Sequence, residues 1–302
     1  MMTKYALFTG CLIPSRYPHL EALARTLLPE IGIQLTKDPP FSCCPDPIQV
    51  GGADRTTWLA VAARNLAVAE EQGTSIISLC NGCTNTLAVA NDQLRRNEEL
   101  REKVNGFLKD TGHSYQGTIE VKHFLQAIWD DIGLANLKSK VIMPLTAIKA
   151  ATHGGCHLLS PHEVMQFDNP LDPTKFDKLV QALGAEAIEY NMSTECCGVS
   201  LALAGDQEAS LQAVRDKLTN IHKNDANCLV VGCPFCFQQF DLVQVRAVKL
   251  FNLPFQVPIF YYLQLLGIAL GHPLEKMELS THKIRDRELE AELFPIKSVI
   301  AI

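Results

Sequence analysis

One cysteine spacing occurs twice in this chain, and it restricts the possible folds more than any other feature. Cys11 is followed after 31 residues by the pair Cys43-Cys44, and after 35 more by Cys80-Asn81-Gly82-Cys83. Farther on, Cys156 is followed after 39 residues by Cys196-Cys197, and again after 35 by Cys233-Pro234-Phe235-Cys236. Ten of the 11 cysteines belong to these two sets of five, and Cys228 stands outside them. Repetition on this scale means that the chain builds one structural unit twice. Its 302 residues suit that reading, being about twice the ~150 of a typical domain.

The stretches between the cysteines repeat as well. Residues 4–8 and 149–152 are short strand-like runs, each ending just before a Gly-Cys step, Gly10-Cys11 or Gly155-Cys156. Helical segments then lead to 32–35 in one copy and 184–188 in the other, ahead of the vicinal pairs. Asp54 and Asp206 read as caps that open periodic helices reaching Gln72 and Lys223. Third strands, 75–79 and 228–231, deliver the Cys-x-x-Cys motifs. Fourth strands, near 119–121 and 256–259, precede Phe124-Leu125-Gln126 and Tyr262-Leu263-Gln264. This alternation predicts an α/β fold of two pseudo-symmetric repeats, each a small, mainly parallel sheet flanked by helices, with a C-terminal extension. The units are 1–140, 141–271 and the extension 272–302, with the junction between Gly133 and Thr146. Residues 94–112, rich in Arg, Glu and Lys, read as a solvated helix pair added to the first copy. In the extension, the charged stretch 283–292 and the apolar Phe294-Pro295-Ile296 suit either a docking arm or a frayed tail. Ligands of parallel α/β sheets gather at the carboxyl ends of strands, so all ten cysteines can converge on two such edges.

Charge and compartment narrow the function classes. A net charge of −6, from 27 basic and 33 acidic residues with no basic cluster, argues against a nucleic-acid binder. The start, Met1-Met2-Thr3-Lys4-Tyr5, lacks the pattern of a secretory signal, so a cytoplasmic location is expected. The most apolar segment, 257–271, is about fifteen residues with Pro258 and Gln264 inside it, short of the roughly 20 that span hydrocarbon. No membrane insertion is expected. Cytosolic thiols are kept reduced, so this many cysteines point to metal or redox chemistry rather than to disulfides. Structural zinc takes four ligands in a closed tetrahedron, whereas each copy offers five, two of them adjacent with diverging side chains. A thioredoxin-like dithiol accounts for each Cys-x-x-Cys and leaves three cysteines per copy unused. Iron–sulfur ligation suits the sets best, although the compact C-x2-C-x2-C-x3-C-P run of ferredoxins is absent. Cys228 reads as a small buried apolar residue.

The doubled pattern resembles the cysteine-rich CCG domain, whose name matches the triplet Cys196-Cys197-Gly198. From about Tyr5 to Leu270 the chain resembles the B subunits of heterodisulfide reductase from methanogenic archaea. The phrases that carry the resemblance are Gly10-Cys11-Leu12-Ile13-Pro14-Ser15-Arg16-Tyr17, Thr57-Trp58-Leu59, Ala62-Ala63-Arg64-Asn65-Leu66, both Cys-x-x-Cys motifs, Gly155-Cys156-His157, Gln239-Phe240-Asp241 and Gln264-Leu265-Leu266-Gly267. The resemblance implies a catalytic subunit that reduces the mixed disulfide of coenzyme M and coenzyme B to two thiols. It implies two noncubane 4Fe-4S clusters, each taking one sulfur of the substrate and supplying one electron. One would sit on Cys11, Cys43, Cys44, Cys80 and Cys83, the other on Cys156, Cys196, Cys197, Cys233 and Cys236. The implied partners are a ferredoxin-like C subunit and a flavin-containing A subunit, with a hydrogenase or formate dehydrogenase beyond. Both product thiols carry anionic groups in that family, so basic groups are expected in the cleft, with Arg16 and His157 as candidates. Where the family implies a glycine-rich stretch with a basic residue after the second triplet, this chain has Val199-Ser200-Leu201-Ala202-Leu203. The alternatives are a CCG-domain subunit of a lactate-, glycerol-3-phosphate- or fumarate-linked oxidoreductase, and a zinc-stapled interaction module.

Overall fold

A computed structural model describes residues 4–293, so the expected Phe294-Pro295-Ile296 end lies outside the described residues. Strands β1 (Lys4–Phe8), β2 (Gln34–Leu35), β3 (Ser75–Ser78) and β4 (Val121–His123) form one sheet in the order β2-β1-β3-β4. Strands β5 (Lys149–His153), β6 (Glu186–Ala187), β7 (Cys228–Val231) and β8 (Ile259–Tyr261) repeat it as β6-β5-β7-β8. Every pairing is parallel, and the registers correspond, with Phe8 opposite Ser78 where His153 stands opposite Val231. Parallel strands covered on both faces read as unbroken apolar runs, and β7 is buried throughout, Cys228 included.

The fourth strands start later than the sequence suggests. Glu120 and Pro258 stay outside them, although their carbonyls accept from Ile76 N (2.8 Å) and Leu229 N (2.9 Å). Pro258 has no N–H for the ladder. Glu120, at the matching position, gives its N–H to Ser75 Oγ (3.2 Å) instead. The two capping aspartates act as the sequence indicates. Asp54 accepts from Thr56 N (2.9 Å) and Thr57 N (3.1 Å) at the head of helix Arg55–Glu70, and Asp206 from Ala209 N (2.9 Å) at the head of Gln207–Lys223. The added segment of the first copy is helical, comprising the end of Asn81–Arg96 and then Glu98–Leu108, but it is only partly solvated. Leu94, Val104 and Leu108 are buried and join a single apolar core that runs through both copies. Among the described residues no helix is long and apolar enough to cross a membrane.

The described part of the extension packs on its own chain. Its 3-10 turns Leu274–Met277 and Leu279–Thr281 and the helix Arg287–Leu293 bury Met277, Leu279, Leu289 and Leu293. Buried Asp241 accepts from Lys283 N (2.8 Å) and Ile284 N (2.9 Å), while Gln264 Nε2 donates to Met277 O (2.8 Å) and contacts His282 Nε2 (2.8 Å). That last contact needs a neutral imidazole. Burial, with His19 and Arg285 adding to it, lowers the His282 pKa to about 3, whereas in the unfolded chain it is about 6.5. Between those values the unfolded state binds the extra proton, so stability is lost as pH falls, by up to about 1.4 kcal/mol per pH unit for this one group. Urea titrations at pH 7 and pH 5 are expected to show a smaller acid-side loss in His282→Gln than in the parent chain. An equal loss in both would remove His282 from the account.

Candidate metal centre

Each sheet has its strand order reversed between its first and third strands, and ligand crevices of α/β sheets form outside the carboxyl ends at such a switch point. The cysteines lie there. Cys11 and Cys156 follow β1 and β5 at the start of the single-turn helices Leu12–Arg16 and Cys156–Leu159. Cys80 and Cys233 follow β3 and β7 as N-caps of the helices Asn81–Arg96 and Pro234–Gln238, with nearly identical backbones (φ −129°, ψ 127° and φ −129°, ψ 131°). The vicinal pairs come from the loops after the short edge strands. Helix N-termini favour thiolate over thiol.

The structure brings each sequence-defined set together. In the first, hydrogen-bonding contacts run from Cys11 to Cys43 to Cys44, then to Cys83 (Cys44 Sγ to Cys83 Sγ 3.0 Å) and Cys80. In the second they run from Cys156 to Cys196, Cys197, Cys236 and Cys233. The two sets meet where Cys80 Sγ and Cys233 Sγ are 4.0 Å apart. Cys11 and Cys43 are exposed and Cys156 and Cys196 half-buried, while the remaining six are buried. Contact with neighbouring sulfurs, followed by burial, pushes the Cys80, Cys83 and Cys236 thiols well up, and the same sulfur contacts push Cys44 and Cys196 down. So many thiols packed this closely cannot all ionise unless cationic charge enters among them. Metal ligation needs the thiolate, so donor set and metal require each other.

Glycines keep the space around the sulfurs open. Gly10 (φ +66°) and Gly155 (φ +81°) stand directly before the first cysteine of each set. A Cβ on Gly10 would lie 2.7 Å from Cys83 Sγ, and one on Gly155 2.5 Å from Asn81 Nδ2 and 3.5 Å from Cys236 Sγ. Two cavities result. One is lined by Cys11, Cys43, Cys44, Cys80 and Cys83 together with Pro234 and Phe235 from the other copy. Its counterpart is lined by Cys156, Cys196, Cys197, Cys233 and Cys236 together with Asn81 and Gly82 from the other copy. Asp46, Gly82 and Phe235 line both, so the cavities adjoin.

This exchange is reciprocal. Helix Asn81–Arg96 of the first copy packs on Cys156–Leu159, and Pro234–Gln238 of the second packs on Leu12–Arg16. Asn81 Nδ2 donates to Gly154 O (2.6 Å) across the junction. Buried Tyr261 donates its hydroxyl to Leu79 O and to Gly232 O (3.0 Å), the carbonyls just ahead of the two Cys-x-x-Cys motifs, and His123 Nε2 also contacts Gly232 O (3.1 Å). Gln49 Nε2 donates to Leu203 O (2.7 Å), joining the short helices Gln49–Ala53 and Val199–Leu203 that follow the two vicinal pairs.

The second-tier candidates are placed differently from one another. His157 lines the second cavity with Nδ1 3.9 Å from Cys156 Sγ. Arg16 lines neither cavity. It closes the short helix on the side facing Pro18–Ile31 and borders a groove between that helix and the C-terminal turns. No lysine or arginine is among the described residues lining the thiol cavities, and His157 is the basic candidate that lines one of them. The segment Val199–Leu203 is a helical turn whose Val199, Ser200 and Leu203 give the second cavity a largely apolar wall.

Two positions to which the sequence pattern gave no role stand behind the vicinal pairs. Buried Asn65 accepts from Ser42 N (2.7 Å) and donates to Cys43 O (3.0 Å). Buried Lys217, 11 residues past its capping aspartate as Asn65 is past its own, donates to Met192 O and contacts His153 Nδ1 (3.2 Å). Aligning the two capped helices by their aspartates would have exposed this pair.

The family model of the CCG cysteine-rich domain matches residues 5–88 and 150–241, one match in each sheet. The chain belongs to this family. Within it, the chain is 35% identical, over 98% of its own length and 99% of the relative's, to the B subunit of the ferredoxin/F(420)H(2)-dependent CoB-CoM heterodisulfide reductase of Methanosarcina acetivorans. A heterodisulfide reductase B-subunit-like protein of Archaeoglobus profundus is 36% identical over 91% of this chain and 93% of its own. The 8-methylmenaquinol:fumarate reductase membrane anchor subunit of Wolinella succinogenes is 32% identical over 95% and 98%. The chain is thus a member of the family of heterodisulfide reductase B subunits and their relatives, cysteine-rich subunits of oxidoreductases. Among solved structures, a hypothetical protein from Helicobacter pylori superposes with a TM-score of 0.74 over 94% of this chain and 52% of that one. Their 18% identity makes this a likeness of fold alone.

Proposed function

We propose that this chain is the disulfide-reducing subunit of a heterodisulfide reductase and holds two noncubane 4Fe-4S clusters. Cys11, Cys43, Cys44, Cys80 and Cys83 would hold one, and Cys156, Cys196, Cys197, Cys233 and Cys236 the other. The observation that carries the reading is the meeting of two complete five-thiol sets at Cys80 and Cys233, 4.0 Å apart, between adjoining cavities. When bound, iron–sulfur clusters supply single electrons at potentials tuned by their surroundings. Reduction of an S–S bond takes two electrons, and two adjoining sites provide for both. The chain's own contribution is placement. Tyr261 fixes the carbonyls ahead of both Cys-x-x-Cys motifs, the reciprocal helices hold the cavities in register, and Phe235 and Leu203 add apolar surface to their walls. The anionic ends of the coenzyme M–coenzyme B disulfide would lie outside the thiol cavities. The two units are 1–140 and 141–271. The partners of this reading are the ferredoxin-like C and flavin-containing A subunits, with a hydrogenase or formate dehydrogenase beyond, in the cytoplasm.

A second reading has a specific observation in its favour. The absence of lysine and arginine among the described cavity-lining residues suits a subunit that passes electrons to another oxidoreductase, such as the fumarate-linked type of the Wolinella relative. One preparation separates them. Anaerobically purified chain is expected to carry about eight irons and to oxidise a reduced dye with the coenzyme M–coenzyme B disulfide. Iron without turnover favours the second reading, and zinc in place of iron ends both.

A further inference from the structure

The two copies are not equivalent behind their sulfurs. His153 ends β5 at the position where Phe8 ends β1, each three residues before the first cysteine of its set. His153 is 1% exposed, and one of its ring nitrogens, Cys197 Sγ and Cys236 Sγ all lie within 4.8 Å of one another. Its Nδ1 contacts Lys217 Nζ (3.2 Å), and its Nε2 is buried with no hydrogen-bond partner. A lysine ammonium can only donate. Nδ1 must then accept, and the ring proton resides on Nε2. The Ser193 carbonyl faces the ring without completing a bond to Nε2. A buried N–H left unmatched costs free energy, and such groups call for an explanation in terms of something that binds. The first copy has neither element, with Phe8 packed on Phe41 and Asn65 in place of the lysine.

We propose that His153 Nε2–H is a hydrogen-bond donor to a sulfur of the cluster on the second cysteine set, that Lys217 fixes its direction, and that the second cluster is reduced more readily than the first. This rests on the cluster reading above. Reduction adds negative charge to the cluster, and a donor to sulfur, with a buried ammonium behind it, favours the more negative state. His153 and Lys217 are positioning residues. They set the order in which the two sites fill with electrons, the second before the first.

The test is an anaerobic redox titration of the full iron-loaded chain followed by electron paramagnetic resonance, with the second site's wave identified as the one missing from Cys197→Ser. His153→Phe, which installs the first copy's residue, is expected to make that wave about tenfold less favourable, or about 59 mV lower for one electron. His153→Gln, which keeps an N–H, should shift it less. If His153→Phe loses its iron, Lys217→Gln takes its place, with the same downward shift expected. An iron-loaded variant whose second wave does not move overturns the inference and leaves the cluster reading intact. A parent chain without iron overturns the cluster reading itself.

Discussion

Cys197→Ser is expected to lower bound iron from about eight to about four per chain and to reduce disulfide turnover by at least about a hundredfold, the upper end of what lost metal-site contacts cost. Cys197 is 3% exposed and stands in mid-series in its set, in contact with both Cys196 and Cys236. A serine hydroxyl fits the same space but does not supply a soft thiolate. The first set draws its five sulfurs from the segments that follow β1 and β3 and from the 36–48 loop, so its iron should survive. Iron and acid-labile sulfide analysis measures the first effect and a dye-coupled assay the second. The contrast with Cys228→Ser is informative. Cys228 lies inside β7, fully buried and away from both sets, and its substitution should cost stability and leave the iron count unchanged. Loss of all iron in Cys197→Ser would mean that the sets do not load independently, and loss of none would remove Cys197 from the ligands.

Much of this arrangement can be read directly from the residues. The strands ahead of Cys11, Cys80, Cys156 and Cys233, the caps Asp54 and Asp206, and the buried state of Cys228 are local properties, written in runs of four or five residues and in single capping side chains. The parallel order follows from alternation of strand and helix. What lies across the junction is not written locally. Asn81 and Phe235 occupy the x positions of their own motifs yet line the other copy's cavity, because each Cys-x-x-Cys helix packs on the opposite copy. Tyr261 bonds to a carbonyl 182 residues away, and Lys217 to a histidine 64 residues away. No periodicity encodes pairs of that separation. Arg16 shows the converse. Five residues past Cys11 is near in sequence, but one helical turn is enough to place its side chain on the groove beside Pro18–Ile31.

The same reciprocity makes one backbone position unusually sensitive. Gly154→Ala should be almost silent, whereas Gly155→Ala should cost about 1–3 kcal/mol of stability and lower iron in the second set. Gly154 has open space where a Cβ would stand, and the first copy already carries a side chain, Thr9, at the matching position. Gly155 adopts φ +81° and ψ 150°, a backbone region essentially restricted to glycine. Its added Cβ would also collide with Asn81 Nδ2, the atom that bonds Gly154 O across the junction. Relief requires Asn81 to withdraw, and Asn81 directly follows Cys80, the sulfur nearest the second set. A single methyl group is thus expected to loosen Cys156 on its own side and the Cys80–Cys233 approach on the other. Urea midpoints of the two variants measure the strain, and their iron content measures its reach. Equal midpoints and equal iron for Gly154→Ala and Gly155→Ala would show that the junction tolerates the displacement, and that the two cavities are less tightly joined than the Asn81 contact indicates.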